Sequence, residues 1–297
     1  MKKRYFLLTF ILLVTLVLAL FPVRIGLWLQ RQNLEYKGLV KYSVDSEAGT
    51  VTYFQGGVGK SIVFVHGFLS EASNWIEVVE RLLPKYHIVV IDLPGHGDSP
   101  GPLENNLQMQ SLLSGLEAVV EVIPTQKFTL VGNSLGGWVS VLFALENPNK
   151  VENLVLVNSA GLEADYPNHY ILPTNVKDYA KKLEMMFGEQ APKLPGYLLN
   201  KMIQLQTKAH ENLYDDTVSG KYYLDEKLAR LKIDTFLIWG EQDSFFPIEY
   251  AEKLAEKLKT DDPVSLIYKI DGGGHTPHYT KPDEFTKVLL QIMEKEE

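Results

Sequence analysis

The residue best equipped for covalent chemistry is Ser134, set in Gly132-Asn133-Ser134-Leu135-Gly136-Gly137. The apolar run 128–131 leads directly into this segment, and a helical pattern begins near Leu135. A Gly-x-Ser-x-Gly turn between strand and helix strains the serine backbone and raises its hydroxyl at the mouth of a sheet. Gly132 and Gly136 remove the side chains that would collide with such a turn. The helix N-terminus beneath the hydroxyl favours developing negative charge. A serine hydroxyl is a weak nucleophile near neutral pH, so it needs a base and an acid that orients the base. Two later runs offer them: 236–239 ends in Gly240-Glu241-Gln242-Asp243, and 264–270 ends in Asp271-Gly272-Gly273-Gly274-His275. The chain order Ser134, Asp243, His275 is the order this architecture demands, with each residue where a strand leaves the sheet. Glu241 competes with Asp243, but the turn through Gln242 and Pro247 suits the later residue. His278 competes with His275, and the three glycines deliver His275 first.

Acyl transfer also requires donors for a tetrahedral oxyanion. After the run 62–65, His66-Gly67-Phe68-Leu69 sets a backbone N–H beside the nucleophile, so the hole is assigned to the N–H groups of Phe68 and Leu135. His66 is read as a structural hydrogen-bonder, and His96 and Asp98 as residues that satisfy the turn 92–99. His275 and His278 have no companion Cys, His or carboxylate cluster, which sets zinc aside, and no cofactor is expected. Gly56-Gly57-Val58-Gly59-Lys60-Ser61 imitates a phosphate loop, but its first glycine would fall at Phe54 and a strand follows where a helix should open. It is read as a loop between strands.

These groups need a frame that brings strand ends together. Runs 40–44 and 50–54 flank a Ser-Glu-Ala-Gly turn and read as a hairpin. Runs 62–65, 88–91, 128–131, 151–157, 236–239 and 264–270 are rich in Val and Ile on both faces, as a parallel sheet covered by helices requires. Segments 75–83, 106–122, 135–146, 248–258 and 282–292 have helical spacing, and in the last Phe285, Val288, Leu289 and Ile292 form one stripe. The alternation predicts an α/β fold with an open, mostly parallel eight-stranded sheet. Residues 160–230 interrupt it with two amphipathic helices. One carries Val176, Tyr179, Ala180, Leu183, Met186 and Phe187 on a face; the other carries Leu198, Leu199, Met202 and Ile203. This reads as a helical cap between a first core part, 35–159, and a second, 231–297.

The first 34 residues form a separate segment. From Tyr5 to Val23 no residue is charged, Lys2, Lys3 and Arg4 precede the run and Arg24 follows it. A helix of that length reaches roughly 28 Å, close to a bilayer's hydrocarbon core. A membrane anchor with the body on the extracytoplasmic side is expected; the competing reading is a signal segment cleaved after Val17-Leu18-Ala19, giving a secreted or periplasmic protein. The segment holds no acid, so the formal net charge of -8 understates how acidic the remaining body is. Such a body repels phosphate polymers, and nucleic acid is not expected as a partner. With 45% hydrophobic and 22% charged residues the chain is a globular protein with a large core, and with no Cys it has no disulfide, thiolate metal site or catalytic thiol. Nothing in the pattern specifies an oligomer.

Taken together, His66-Gly67-Phe68, Gly95-His96-Gly97-Asp98-Ser99, the Ser134 hexapeptide, Trp239-Gly240-Glu241-Gln242-Asp243 and Gly274-His275 resemble the α/β-hydrolase family over roughly residues 38–296. Gly-Asn-Ser-Leu-Gly-Gly and Leu156-Val157-Asn158-Ser159-Ala160-Gly161 are similar to bacterial lipases and esterases and to membrane-anchored monoacylglycerol lipases, and also to carbon-carbon bond hydrolases. A serine at 134 departs from epoxide hydrolases and haloalkane dehalogenases, which carry Asp there. The resemblance implies hydrolysis of a small ester or lipid, of medium acyl chain or monoacylglycerol type, through an acyl-enzyme. A carbon-carbon hydrolase would use the same three residues on an anionic substrate and would want an Arg in its pocket, whereas the cap offers only Arg230. The remaining alternative is a non-catalytic binding protein on the same fold.

Overall fold

Strands apolar on both sides can be stable only between two layers of helices, and the chain supplies both. The computed structural model describes residues 30–101, 107–163, 173–204, 220–258 and 265–294. Its hairpin is β1 (Val40–Ser46) and β2 (Gly49–Gly56), with Ser46 opposite Gly49. Then come β3 (Ser61–Val65), β4 (His87–Ile91), β5 (Phe128–Asn133), β6 (Val151–Val157), β7 (Asp234–Gly240) and β8 (Ser265–Ile270). They form one eight-stranded sheet in the order β1-β2-β4-β3-β5-β6-β7-β8. β2 runs antiparallel to β1 and β4, and every other pair is parallel. The carboxyl ends of β3 to β8 therefore share one edge. β3 opens at Ser61, so the glycine-rich 56–61 segment connects two strands and starts no helix.

Among the described helices are α1 (Ile76–Leu82), α2 (Met109–Val122), α3 (Leu135–Glu146), α4 (Val176–Phe187), α5 (Ile248–Lys257) and α6 (Pro282–Glu294). Alternate strand residues point to opposite faces, and the core divides accordingly. Val63, Val65, Val89, Ile91, Leu130 and Leu156 meet α2, α3 and α5. Ile62, Phe64, Ile88, Val90, Val131 and Val155 meet α1 and α6 on the other side. α3 is buried along nearly its whole length, as a helix apolar all round must be.

A helix over residues 30–36 has no counterpart in the sequence reading. Its Leu34 is fully buried in the same core as Trp75 and Phe285. Arg31 pairs with Glu71 and with Asp98, the latter at 3.0 Å. The apolar run 5–23 and its membrane reading lie outside the described residues. Among the described residues, no helix is long and apolar enough to cross a membrane.

α4 begins at Asn175, whose side chain accepts a hydrogen bond from the Asp178 N–H at 3.0 Å. With the helix 196–204 it builds a small cluster of its own, centred on Tyr179, Leu183 and Leu199. Met186, expected on that face, packs instead with Met185 against the main core.

Candidate active site

The turn that carries Ser134 is where sequence and geometry agree most tightly. Ser134 has φ 55° and ψ -121°, between the last residue of β5 and the first of α3. A Cβ at Gly136 would lie within 2.5 Å of Val65 O and closer still to His66 O; one at Gly132 would meet Gly136 O at 2.5 Å. Only glycines let β3, β5 and α3 approach this closely. The Ser134 backbone is then clamped: its N–H donates to Val157 O at 3.0 Å, and its carbonyl accepts from the Ala160 N–H at 3.1 Å. The side chain itself stays partly exposed.

His275 and Asp243 meet at the adjoining strand ends. Nδ1 of His275 lies 2.8 Å from Asp243 Oδ2. That oxygen also accepts from Asn158 Nδ2 at 2.7 Å, while Oδ1 accepts from the N–H groups of Phe245 and Phe246 at 2.8 and 3.1 Å. A carboxylate with donors on both oxygens is held in one orientation. The imidazole packs against the rings of Phe245 and Phe246, with centroids 5.1 and 5.5 Å away. Its backbone is tied to the nucleophile turn, because Asn133 Nδ2 donates both to His275 O at 3.1 Å and to Val157 O at 2.9 Å. Ser134, Asp243 and His275 thus follow β5, β7 and β8 at one edge of the sheet, with Asp243 and His275 bonded to each other.

Glu241 is exposed and takes no part in this cluster. His278 is fully buried away from it, stacked on Trp75 at 3.9 Å and hydrogen-bonded through Nε2 to Asn74 at 3.0 Å. Burial, with His275 nearby, pulls its pKa down to about 3.

The loop after β3 runs against the nucleophile: a Cβ at Gly67 would sit 3.0 Å from Ser134 Cβ. Gly67 O accepts from His66 Nδ1 at 2.7 Å and from the Ser70 N–H at 3.2 Å. In a trans peptide the N–H points opposite to the carbonyl, so these two bonds fix the direction of the Phe68 N–H. Leu69 takes φ 58°, which turns the chain sharply just beyond. Leu135 is the first residue of α3, and its N–H has no intrahelical acceptor. His66 Nε2 accepts from the Leu93 N–H at 3.1 Å, so both ring nitrogens are engaged in the neutral form, and burial lowers its pKa to about 3.

The turn 92–99 is held differently from the expectation. His96 does bond its own turn, Nδ1 to Pro94 O at 3.0 Å. Asp98 does not use its side chain that way; it pairs with Arg31 and Lys41. The buried carboxylate that satisfies the backbone is Asp92, which accepts from the N–H groups of Ala72 at 2.7 Å and Asp98 at 2.9 Å. Asp92 directly follows β4 and is fully buried with its end.

Asn158 is the residue that sequence reasoning left without a role. It directly follows β6, takes φ 42°, donates to Asp243 and accepts from the Gly240 N–H at 3.1 Å. Its signal was positional: a short polar residue at the one remaining strand end on the site edge, and of a type that tolerates left-handed backbone.

A parallel sheet of this order, with a serine elbow after β5 and an acid and a histidine after β7 and β8, defines a hydrolase-type scaffold. The family model described as alpha/beta hydrolase fold matches residues 60–223, more than half of the chain, and the chain belongs to that family. The chain is similar to the monoacylglycerol lipase ABHD6 of Homo sapiens, at 25% identity over 91% of this chain and 86% of that protein. Among solved structures it resembles a bacterial membrane phospholipase A, with TM-score 0.81 and 23% identity over 99% of both chains. It also resembles a meta-cleavage product hydrolase from Pseudomonas fluorescens, with TM-score 0.72 and 18% identity over 86% of this chain and 98% of that one. These structural likenesses speak for the fold.

Proposed function

We propose that this chain is a carboxylic-ester hydrolase working through an acyl-enzyme, with Ser134 as nucleophile, His275 as base and Asp243 as the group that orients it. The observation that carries this reading is the 2.8 Å bond from His275 Nδ1 to Asp243, taken with the elbow conformation of Ser134 at the same sheet edge. With Nδ1–H held by the carboxylate, Nε2 is the basic atom of the neutral ring. Ser134 Oγ attacks the ester carbonyl carbon as its proton passes to Nε2. The C–O bond to the alcohol then breaks, and the leaving oxygen takes that proton. Water attacks the acyl carbon with Nε2 again as base, the acid departs, and the proton returns to Ser134. The N–H groups of Phe68 and Leu135 stabilise the oxyanion in both halves; a donor of this kind is worth about 3 to 4 kcal/mol.

Residues 160–230 act as a cap over the site, and residues 1–34 as an anchor or signal segment that sets the body on the extracytoplasmic side. The substrate is a medium-chain acyl ester or monoacylglycerol, a reading supported by the lipase name of the relative and by the apolar cap. The test is a hydrolysis screen of p-nitrophenyl esters and monoacylglycerols across chain lengths, with Ser134→Ala beside the wild type. Hydrolysis in one chain-length range, lost in Ser134→Ala along with fluorophosphonate labelling, is expected. A wild type inert toward every ester overturns the reading.

A further inference from the structure

The N–H of Phe68 belongs to a strained turn beside the nucleophile, where a Cβ at Gly67 would lie 3.0 Å from Ser134 Cβ. The Ser70 N–H bonds Gly67 O at 3.2 Å, so residues 67–70 form a β-turn with Phe68 and Leu69 at its centre. Leu69 takes φ 58°, a conformation that costs a leucine energy and persists only where its surroundings impose it. Its side chain is exposed, so packing there does little to impose it. The turn is held by the Phe68 ring, edge-on to His96 at 5.9 Å, and by its two ends. At the leading end His66 Nδ1 bonds Gly67 O at 2.7 Å.

The trailing end is Glu71, which follows the turn directly and is buried. Its Oε2 pairs with Arg31 Nη1, and its Oε1 accepts from Ser73 Oγ at 2.6 Å. The next N–H, that of Ala72, donates to Asp92 Oδ1 at 2.7 Å. Arg31 Nε lies 3.0 Å from Asp98 Oδ1, and Lys41 Nζ lies 2.5 Å from Asp98 Oδ2. Arg31 therefore joins two carboxylates, Glu71 and Asp98, that would repel each other without it. Ser73 belongs to the same short segment as Glu71, and Asp92 to the end of β4, whereas Arg31 comes from the helix 30–36 ahead of the sheet. Taking the ester-hydrolase reading as its basis, we propose that Arg31 is a positioning residue for the oxyanion: by fixing Glu71 at the exit of the turn, it keeps the Phe68 N–H aimed beside Ser134. The helix 30–36 is then part of the catalytic frame.

The experiment measures p-nitrophenyl ester hydrolysis by wild type, Arg31→Ala, Arg31→Lys, Glu71→Gln, the double variant Arg31→Ala with Glu71→Gln, and Lys37→Ala. Rates are expressed per site labelled by a fluorophosphonate, so that a smaller folded fraction does not register as a lower kcat. In Arg31→Ala, kcat should fall by about tenfold with KM little changed, short of the roughly 10²- to 10³-fold loss when a donor is removed outright. Inhibition by an alkyl trifluoromethyl ketone, whose serine adduct carries the oxyanion, should weaken by the same factor. Arg31→Lys should recover most of kcat, and the double variant should lose no more than the worse single one. Lys37→Ala breaks the 2.6 Å pair between Lys37 and Glu80 on α1 beside the same helix, and its kcat should match wild type. Should Arg31→Ala fail to fold by circular dichroism, Arg31→Met keeps the aliphatic stem and gives the same comparison. An unchanged kcat per labelled site in Arg31→Ala, losses that add in the double variant, or an equal fall in Lys37→Ala overturns the inference and leaves the ester reading standing. A wild type inert toward every ester overturns both.

Discussion

At the scale of single residues, the orientation of His275 depends on how fully Asp243 is held. Asn158 supplies one of its donors and also receives the Gly240 N–H, so it ties the acid to the end of β7. Asn158→Ala should lower kcat by about tenfold with little change in KM, because the imidazole is then less firmly positioned while substrate contacts remain. It should also cost about 1 to 3 kcal/mol of stability, since a buried N–H loses its acceptor and Ala tolerates positive φ poorly. Steady-state kinetics and urea melts would check both, and an unaltered kcat would deny Asn158 its positioning role. Asp92 poses a parallel case with a different outcome. Asp92→Asn replaces one acceptor oxygen by an amide that confronts the Ala72 or Asp98 N–H, so a loss of about 1 to 3 kcal/mol in a urea melt is expected. The proposed chemical groups were readable because each requires a rare local pattern: glycines around a serine, or a histidine after a glycine run. Asn158 and Asp92 were not, because a short polar residue after a strand looks the same in sequence whether it caps a turn or holds a partner far along the chain.

At the scale of elements, the helix 30–36 does more than lead into the sheet. Arg31 joins Glu71 and Asp98, and Glu71 in turn accepts from Ser73 Oγ at 2.6 Å, two residues before Trp75 in the core. Burial raises the pKa of Glu71, with Arg31 opposing the shift. Arg31→Ala would leave the buried Glu71 carboxyl without its cation and with Ser73 Oγ still bonded, so a loss of about 2 to 4 kcal/mol is expected, somewhat below the range for a buried charge left with no partner. The double variant Arg31→Ala with Glu71→Gln should recover part of it, and strict additivity in thermal melts would show that the two residues do not act together. Strands and helices of the sheet layers were legible because hydrophobic period carries them. The helix 30–36 was hidden by its neighbour, since residues adjoining a long apolar run look like its flank. Met186 departed from its expected face because α4 is sandwiched between a small cluster and the main core, and a single apolar stripe does not say which residues serve which partner.

At the scale of the whole molecule, the layered sheet followed from strands apolar on both faces, but the buried ionisable groups behind it depend on packing that only the fold reveals. Their balance makes stability depend on pH. Burial holds His66 and His278 at about 3, against the ordinary 6.5 they regain on unfolding, and His96 is lowered in the same way. The unfolded chain therefore binds more protons at these sites between about pH 3 and 6.5, and stability from them rises with pH across that window. Asp92 acts in the opposite sense: burial lifts it from 3.8 to about 7, so the folded chain holds the extra proton and stability from this group falls as pH rises between those values. Glu71 is shifted in the same direction as Asp92. His87 is lowered by burial as well and Glu117 raised, so four histidines stand against three carboxyls, and net stability should climb toward pH 6.5. Above 6.5 the histidine slope vanishes, leaving a shallow decline through pH 7. His278→Phe isolates one part of this balance, since a ring there can still stack on Trp75 and face Phe285. One proton fewer lowers the slope by about 1.4 kcal/mol per pH unit. Urea midpoints of both proteins at pH 4.5, 5.5 and 6.5, chosen within the window set by these shifts, would measure it. Equal slopes in the two proteins would mean that His278 charges in the folded state, contrary to its burial.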